Sequence, residues 1–380
     1  MAVTDEQFLR RAIRLAMHGR GGVEPNPMVG CVIVKDSRII GEGFHAKYGG
    51  RHAEPAALAS CNDAPQGATA YVTLEPCCHL NKQTPPCVPR LIEARIHRVV
   101  VGCLDPNPQV NGRGVAMLRD AGIVVDEPLL EAECKQMIAP FIARTVFGRP
   151  YVTLKWARTA DGKIAGPGGR RMQISNEQSM QVVHRLRARC DAILVGVNTV
   201  LADDPQLTAR GIGGARPLLR CVLDRRLRTP LESNLVRTAR ESHVIIACDP
   251  SALATPTARE LQSAGVELYP VKSIDDFLKH LYTMKVSHLL VEPGPTLARA
   301  FFEAGLADRL WIFDCARSAG DKAALNAPSI PASFSKSGKI DISGDTLREY
   351  LDTSGRLFFA CIPSAELELE KNLPVDSAIP

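Results

Sequence analysis

No apolar run in the 380 residues approaches about 18 in length, and Met1 to Gln7 carries acids but no hydrophobic core. The reading therefore expects neither a membrane-spanning helix nor a secretory leader. No Lys/Arg block stands out in a chain of net charge +5, which argues against a duplex-binding stripe and weakly for phosphorylated substrates. None of the 12 cysteines falls in a C-x-x-C pair, so a closed four-cysteine ribbon or finger is excluded. Their scatter suits reduced thiols in a cytoplasmic protein rather than a disulfide framework. Internal repeats and low-complexity tracts are missing as well. What is left is a globular composition, 45% hydrophobic, at a length that favours about two domains.

Periodicity supplies the elements. Thr4-x-x-Gln7 is a capping-box candidate ahead of an apolar face formed by Phe8, Leu9, Ala12, Ile13, Ala16 and Met17, and Gly19 stops the helix. Residues 29–34 and 38–41 flank a Lys-Asp-Ser turn and read as a hairpin. Helices are expected at 53–61, 87–94 and 114–121, with strands at 70–74, 98–103 and 123–126. This alternation implies a three-layer α/β domain. A helix over 129–143 ends before Gly148-Arg-Pro150, where a second α/β run begins. Its strands are expected at 151–156, 192–195, 218–223, 244–247, 266–270, 288–291 and 310–313, with helices at 177–189 and 296–304. The domains are thus 1–147 and 148–362, and the charged, proline-containing stretch 363–380 is expected to be a mobile tail.

The chemistry concentrates in His52-Ala53-Glu54, Glu75-Pro76-Cys77-Cys78-His79 and Pro85-Pro86-Cys87. One imidazole and two thiolates give three ligands for a tetrahedral Zn²⁺ and leave a fourth position open, as in a catalytic site. Buried free cysteines acting as small hydrophobes are the plainer alternative. Against it, both cysteines follow proline, both precede a helical pattern, and the histidine carries its own glutamate. Zinc in such a site supplies water with its pKa lowered toward about 7. Glu54 is then the proton shuttle, taking a proton from that water and delivering it to the ring nitrogen and the leaving amine. His-x-Glu followed by Pro-Cys and a second Cys is the pattern of zinc deaminases acting on nucleobase-like rings.

Further motifs widen the match. They are Pro25-Asn26-Pro27-Met28-Val29-Gly30, Gly41-Glu-Gly-Phe-His45, Thr84-Pro-Pro-Cys87 and Asp105-Pro-Asn-Pro108, then Asp161-Gly-Lys-Ile-Ala165, Asp191-Ala-Ile-Leu-Val-Gly196 and the run from Thr199 to Arg210. Taken in this order, the chain to about residue 362 resembles the bacterial RibD family of bifunctional riboflavin-biosynthesis enzymes. The resemblance implies a cytidine-deaminase-like three-layer domain followed by a dihydrofolate-reductase-like α/β domain. It implies one Zn²⁺ per deaminase domain, held by His52, Cys77 and Cys87, with Asn26, His45, His79 and Lys82 around a phosphorylated pyrimidine. In the second domain it places Arg187, Leu207, Arg210 and Glu292 on substrate, and Ala157, Thr199, Asp203, Gly294 and Thr296 on NADPH. Nucleic-acid-editing deaminases instead use Pro-Cys-x-x-Cys and a basic strand-accepting surface, neither of which is present, so no nucleic-acid or membrane partner is expected. A homo-oligomer stays open.

The chain also departs from the family pattern. The zinc loop Cys77 to Cys87 is one residue longer than the usual C-x8-C, so Cys78 would restore the spacing; Cys77 is preferred because it directly follows Glu75-Pro76. Arg171, Gln173 and Arg225 replace a customary Ser, Trp and hydroxyl, Arg158 stands where a small residue is usual, and Glu-Gly-Gly has become Glu292-Pro293-Gly294-Pro295. Proline withdraws N–H donors from a phosphate loop. Two readings follow: a working deaminase-reductase, or a deaminase whose second half is a degenerate scaffold.

Overall fold

The computed structural model describes residues 4–79, 84–126, 128–354, 357 and 362–372. The chain divides into two compact units, Met1–Phe147 and Gly148–Ile379.

In the first unit α1 (Asp5–Met17) begins where Gln7 Oε1 accepts the Thr4 N–H at 3.0 Å. The hairpin of β1 (Gly30–Lys35) and β2 (Arg38–Phe44) turns through Asp36 and Ser37, both at positive φ as a tight two-residue turn requires. There follow α2 (Ala53–Ala59), β3 (Thr69–Val72), α3 (Cys87–Glu93), β4 (Arg98–Val101), α4 (Arg113–Asp120) and β5 (Val124–Val125). The sheet runs β2-β1-β3-β4-β5, with β1 antiparallel to both neighbours and the last three strands parallel. Side chains of β1 alternate between layers, as period two demands. Val32 and Val34 pack toward α1 with Phe8 and Leu9, while Cys31 and Ile33 pack toward α2, α3 and α4 with Ala57, Leu91 and Leu118. The helix expected over 129–143 is two helices, α5 (Glu131–Met137) and α6 (Ala139–Phe147). Pro140, lacking an N–H, sits in the first turn of α6, where it costs no hydrogen bond.

The second unit contains β6 (Tyr151–Arg158), β7 (Lys163–Pro167), α7 (Glu177–Arg189), β8 (Ala192–Gly196), α8 (Val197–Asp203), β9 (Leu219–Leu223), α9 (Asn234–Arg237) and β10 (Val244–Cys248). It continues through α10 (Pro256–Ser263), β11 (Glu267–Pro270), α11 (Ile274–Thr283), β12 (His288–Val291), α12 (Pro295–Glu303), β13 (Arg309–Asp314), β14 (Ala324–Asn326), β15 (Phe334–Ile342), β16 (Asp345–Asp352) and α13 (Ala365–Asn372). The main sheet has nine strands in the order β11-β10-β9-β8-β12-β6-β13-β16-β15. Its strands are parallel through β13, and β16 and β15 add an antiparallel edge. Both faces are covered, by α7 and α10 on one side and by α11 and α12 on the other. That is why β8, β10 and β12 read as continuous apolar runs.

The stretch expected to be a tail holds α13, and this helix is packed. Glu370, its carboxylate fully buried, accepts from Arg185 at 2.7 and 2.9 Å and from Arg189 at 2.7 Å, both arginines lying on α7. Just before it, Ser364 donates its N–H and hydroxyl to buried Glu349 of β16. The buried arginines need a counter-charge, and the charged composition that suggests a solvated tail supplies it. Residues 373–380 lie outside the described residues.

Candidate metal centre and cofactor cavity

His52 is the N-cap of α2, Glu54 lies in its first turn, and Cys87 opens α3. The glycines of Gly41-Glu-Gly43 allow α2 to approach: a Cβ on Gly43 would lie 2.3 Å from Ala57 N and 2.7 Å from Ala53 O, and one on Gly41 would lie 2.5 Å from Ala57 O. Cys77 sits in the loop after β3, and its carbonyl accepts the N–H groups of Cys87 and Val88 at 3.0 and 3.2 Å, which locks the two cysteines together through backbone. The Cys77 and Cys87 sulfurs are 3.6 Å apart and lie 3.5 and 3.3 Å from His52 Nδ1. Ligands about 2.0–2.3 Å from a tetrahedral zinc are about 3.5–3.8 Å from one another, so this donor set fits that ion. Among the described residues it is the single cluster of three or more such groups with ligating geometry, and Cys78 is outside it.

Thr84, the first residue of the Thr84-Pro-Pro-Cys87 motif, supports the histidine. Its Oγ1 is 3.0 Å from His52 Nε2 and can accept that N–H, leaving Nδ1 unprotonated toward the sulfurs. Glu54 is buried beside the cluster. Burial pushes its carboxyl up to about 7, Cys77 adds to the rise, and His52 opposes it. A cation among these ligands opposes the rise too. Asn26 and His45 form one unit: His45 Nδ1 faces Arg51 O at 2.9 Å and must donate there, which makes Nε2 the acceptor for Asn26 Nδ2 at 3.2 Å. The His45 and His52 rings meet edge to face at 5.3 Å. His79 is half-buried, two residues beyond Cys77. Lys82 lies outside the described residues.

In the second unit a cavity of about 1930 Å³ opens at the carboxyl ends of the parallel strands, where open α/β sheets bind ligands. All nine residues expected there line it: Ala157, Arg187, Thr199, Asp203, Leu207, Arg210, Glu292, Gly294 and Thr296. Arg187 is not open to a phosphate: its guanidinium is forked onto Glu292 at 2.8 and 2.9 Å and also reaches Thr208 O at 3.2 Å. Glu292 is held at about 2, because Arg187 and then Lys155 overcome the upward push of burial. Lys155 is a cavity residue that sequence reasoning missed; its signal is a lysine inside an apolar strand entering the site. Burial pushes its ammonium down while Glu292 opposes that. Arg210 extends to Gln206 Oε1 at 3.1 Å, and burial pushes the Asp203 carboxyl up while Arg171 opposes it.

The departures have structural places. Arg171, Gln173, Arg225, Pro293 and Pro295 line the same cavity, whereas Arg158 pairs with Asp314 at 2.5 Å. Pro295 is the first residue of α12, where a missing N–H is no loss, and Gly294 ahead of it has nothing within 4 Å of an added Cβ. Open space over a helix N-terminus fits a cofactor diphosphate. Asp161-Gly-Lys is a staple rather than a ligand set. Asp161 accepts the Ala319 and Gly320 N–H groups, and Lys163 Nζ donates to Lys322 O, Ala324 O and Asn326 Oδ1.

The sequence matches known proteins over both units. The cytidine and deoxycytidylate deaminase zinc-binding region matches residues 2–103, and the RibD C-terminal domain matches residues 150–324. Riboflavin biosynthesis protein RibD of Actinobacillus pleuropneumoniae is 43% identical over 328 residues, covering 85% of this chain and 86% of that protein. The chain belongs to the RibD family. RibD of Escherichia coli is 38% identical over 335 residues, 84% of this chain and 89% of its own. Among solved structures, form 1 of Acinetobacter baumannii RibD superposes with TM-score 0.80 at 35% identity, covering 92% of this chain and 99% of that one. A Thermotoga maritima diaminohydroxyphosphoribosylaminopyrimidine deaminase/5-amino-6-(5-phosphoribosylamino)uracil reductase gives 0.79 at 36%, covering 92% and 98%. This RibD-family chain is therefore a riboflavin-biosynthesis enzyme with a zinc-dependent, cytidine-deaminase-like domain and an NADPH-dependent, dihydrofolate-reductase-like domain. No helix among the described residues is long and apolar enough to cross a membrane.

Proposed function

We propose that the first unit hydrolytically deaminates 2,5-diamino-6-ribosylamino-4(3H)-pyrimidinone 5′-phosphate, and that the second reduces the ribose of the product to a ribityl chain. The observation that carries the first step is the spacing of His52 Nδ1 and the Cys77 and Cys87 sulfurs next to a buried Glu54. These three residues hold zinc, which when bound supplies an activated water. Glu54 would relay one proton from that water to the ring nitrogen and a second, from the hydroxyl added to the ring carbon, to the departing amine, a task suited to a buried carboxyl beside the three ligands. His45, its tautomer fixed by Arg51 O, orients the Asn26 amide, whose remaining N–H and oxygen face the pyrimidine beside the His45 ring, and His79 joins them. In the second unit NADPH supplies the hydride. Gly294 and Thr296 would receive its diphosphate and Ala157, Thr199 and Asp203 its remaining contacts, while Lys155 and Arg210 face the substrate phosphate and Leu207 and the Arg187–Glu292 pair line the pocket for its sugar.

The reading is tested in two assays on the intact chain. Glu54→Gln should keep zinc, measured by elemental analysis, yet lose ammonia release by about 10²–10⁴-fold. Wild-type protein should oxidise NADPH when given the deaminated intermediate. Normal deamination by zinc-replete Glu54→Gln would sink the first assignment, and absence of NADPH turnover would sink the second.

A further inference from the structure

Glu75 is a fully engaged carboxylate that belongs to neither ligand set. It is buried, 3% exposed, and precedes Cys77 by two residues across a proline. Its Oε1 accepts the N–H groups of Gly114 and Val115 at 2.9 and 3.2 Å, and its Oε2 accepts those of Gly112 and Asp105 at 2.9 and 3.2 Å. A carboxylate offers about four lone-pair sites. All are therefore filled by backbone donors, which leaves none to bind a metal, take a proton from water or touch substrate. Its main chain is tied as well, since the Glu75 N–H donates to Cys103 O at 2.9 Å.

Three of the four donors, Gly112, Gly114 and Val115, come from the start of α4, where unpaired N–H groups and the helix dipole favour an anion. The approach is close. A Cβ on Gly114 would lie 2.2 Å from Pro76 O and 3.1 Å from Glu75 Oε1, so glycine is what lets α4 reach this loop. Two residues on, the Cys77 carbonyl accepts the N–H groups of Cys87 and Val88 that open α3. The segment Glu75-Pro76-Cys77 is thus strung between two helix starts, by a side chain at one end and a carbonyl at the other, with a proline of fixed φ between them.

We propose that Glu75 is a positioning residue for the metal centre: by pinning the loop to α4 it holds Cys77 at the spacing from Cys87 and His52 that zinc requires. The proposal rests on the assignment of His52, Cys77 and Cys87 as the zinc ligands. Glu75→Gln is the direct test, because an amide keeps one acceptor oxygen but turns an NH₂ group toward N–H donors.

The full chain, stripped of metal, is titrated with Co²⁺ against a chelator, and its d–d and sulfur-to-cobalt bands are recorded. For Glu75→Gln the expected result is affinity weakened by about 10–100-fold, the usual effect of losing an outer-shell partner. Altered d–d bands and a lower kcat with KM unchanged should accompany it, while circular dichroism still shows a folded apo protein. Glu75→Asp keeps the charge on a shorter stem and should fall between wild type and Gln; if Gln does not fold, the Asp variant decides. Wild-type cobalt affinity, bands and kcat in the folded variant overturn the positioning role. So does an apo protein unfolded in both variants, which would make Glu75 purely a scaffold. Cys77→Ser is the separate control on the ligand assignment: an unchanged cobalt spectrum in that variant would overturn the assignment itself.

Discussion

Thr84 shows how much one hydroxyl can decide at the scale of a residue. Its Oγ1, 3.0 Å from His52 Nε2, is placed to accept that N–H and so to support Nδ1, which faces the two sulfurs, as the nitrogen free for the metal. Thr84→Val, which keeps the shape and removes the acceptor, should weaken zinc binding by about 10–100-fold in a chelator competition without unfolding the domain. A second residue-scale expectation concerns acid. Glu292, held at about 2 by Arg187 and Lys155 against burial, has a folded pKa below its ordinary 4.5. Its contribution to stability is therefore complete above about 4.5 and is lost as the pH falls toward about 2. Unfolding followed by tryptophan fluorescence across that window should be flatter with pH in Glu292→Gln than in wild type. Residue roles were unevenly legible. Spacing alone favours Cys78 and the Glu75-Pro76 context favours Cys77; the structure sides with Cys77, whose carbonyl accepts the N–H groups that open α3 and whose sulfur lies with Cys87 and His52. Thr84 carries no local signature, because its significance lies in what the fold brings opposite it, whereas the signal of Lys155 is only a lysine inside an apolar strand.

Elements were more readable than their joints. Helix 177–189 and most parallel strands follow from hydrophobic period, since burial on both faces writes a continuous apolar run. The break between α5 and α6 was legible only in Pro140. The β15–β16 hairpin was not, because β15 is a polar edge strand with a bulge near Gly338 and lacks the clean alternation of a half-buried strand. The Gly41-Glu-Gly43 part of the family motif acts as a packing surface: it lets α2 lie against β2 and so aims His52 and Glu54. Gly43→Ala places a methyl 2.3 Å from Ala57 N. We expect it to cost about 1–3 kcal/mol in thermal or urea unfolding and to lower zinc content, whereas substitutions at exposed positions of α2 should do neither.

At the scale of the whole molecule, the two chemistries reside in separately packed cores. Chelation should silence ammonia release and leave NADPH oxidation on the deaminated intermediate intact, which paired assays on one sample can check. The two tryptophans, Trp156 and Trp311, are both buried in the second unit, so their fluorescence reports that unit alone. By that signal Glu370→Gln should shift the urea transition by about 3–5 kcal/mol, the cost of stranding buried charge. Replacing Arg185, Arg189 and Glu370 together by apolar residues of similar size should recover most of the loss.

The same three positions carry a historical constraint. Each single exchange leaves a charge stranded in the interior, so an evolving lineage cannot cross from the ionic arrangement to a greasy one by small steps without passing through a weakened protein. Among homologues the two helix positions and the carboxyl-terminal glutamate should therefore change in concert, and sequences cut short before this helix should also lack the paired arginines.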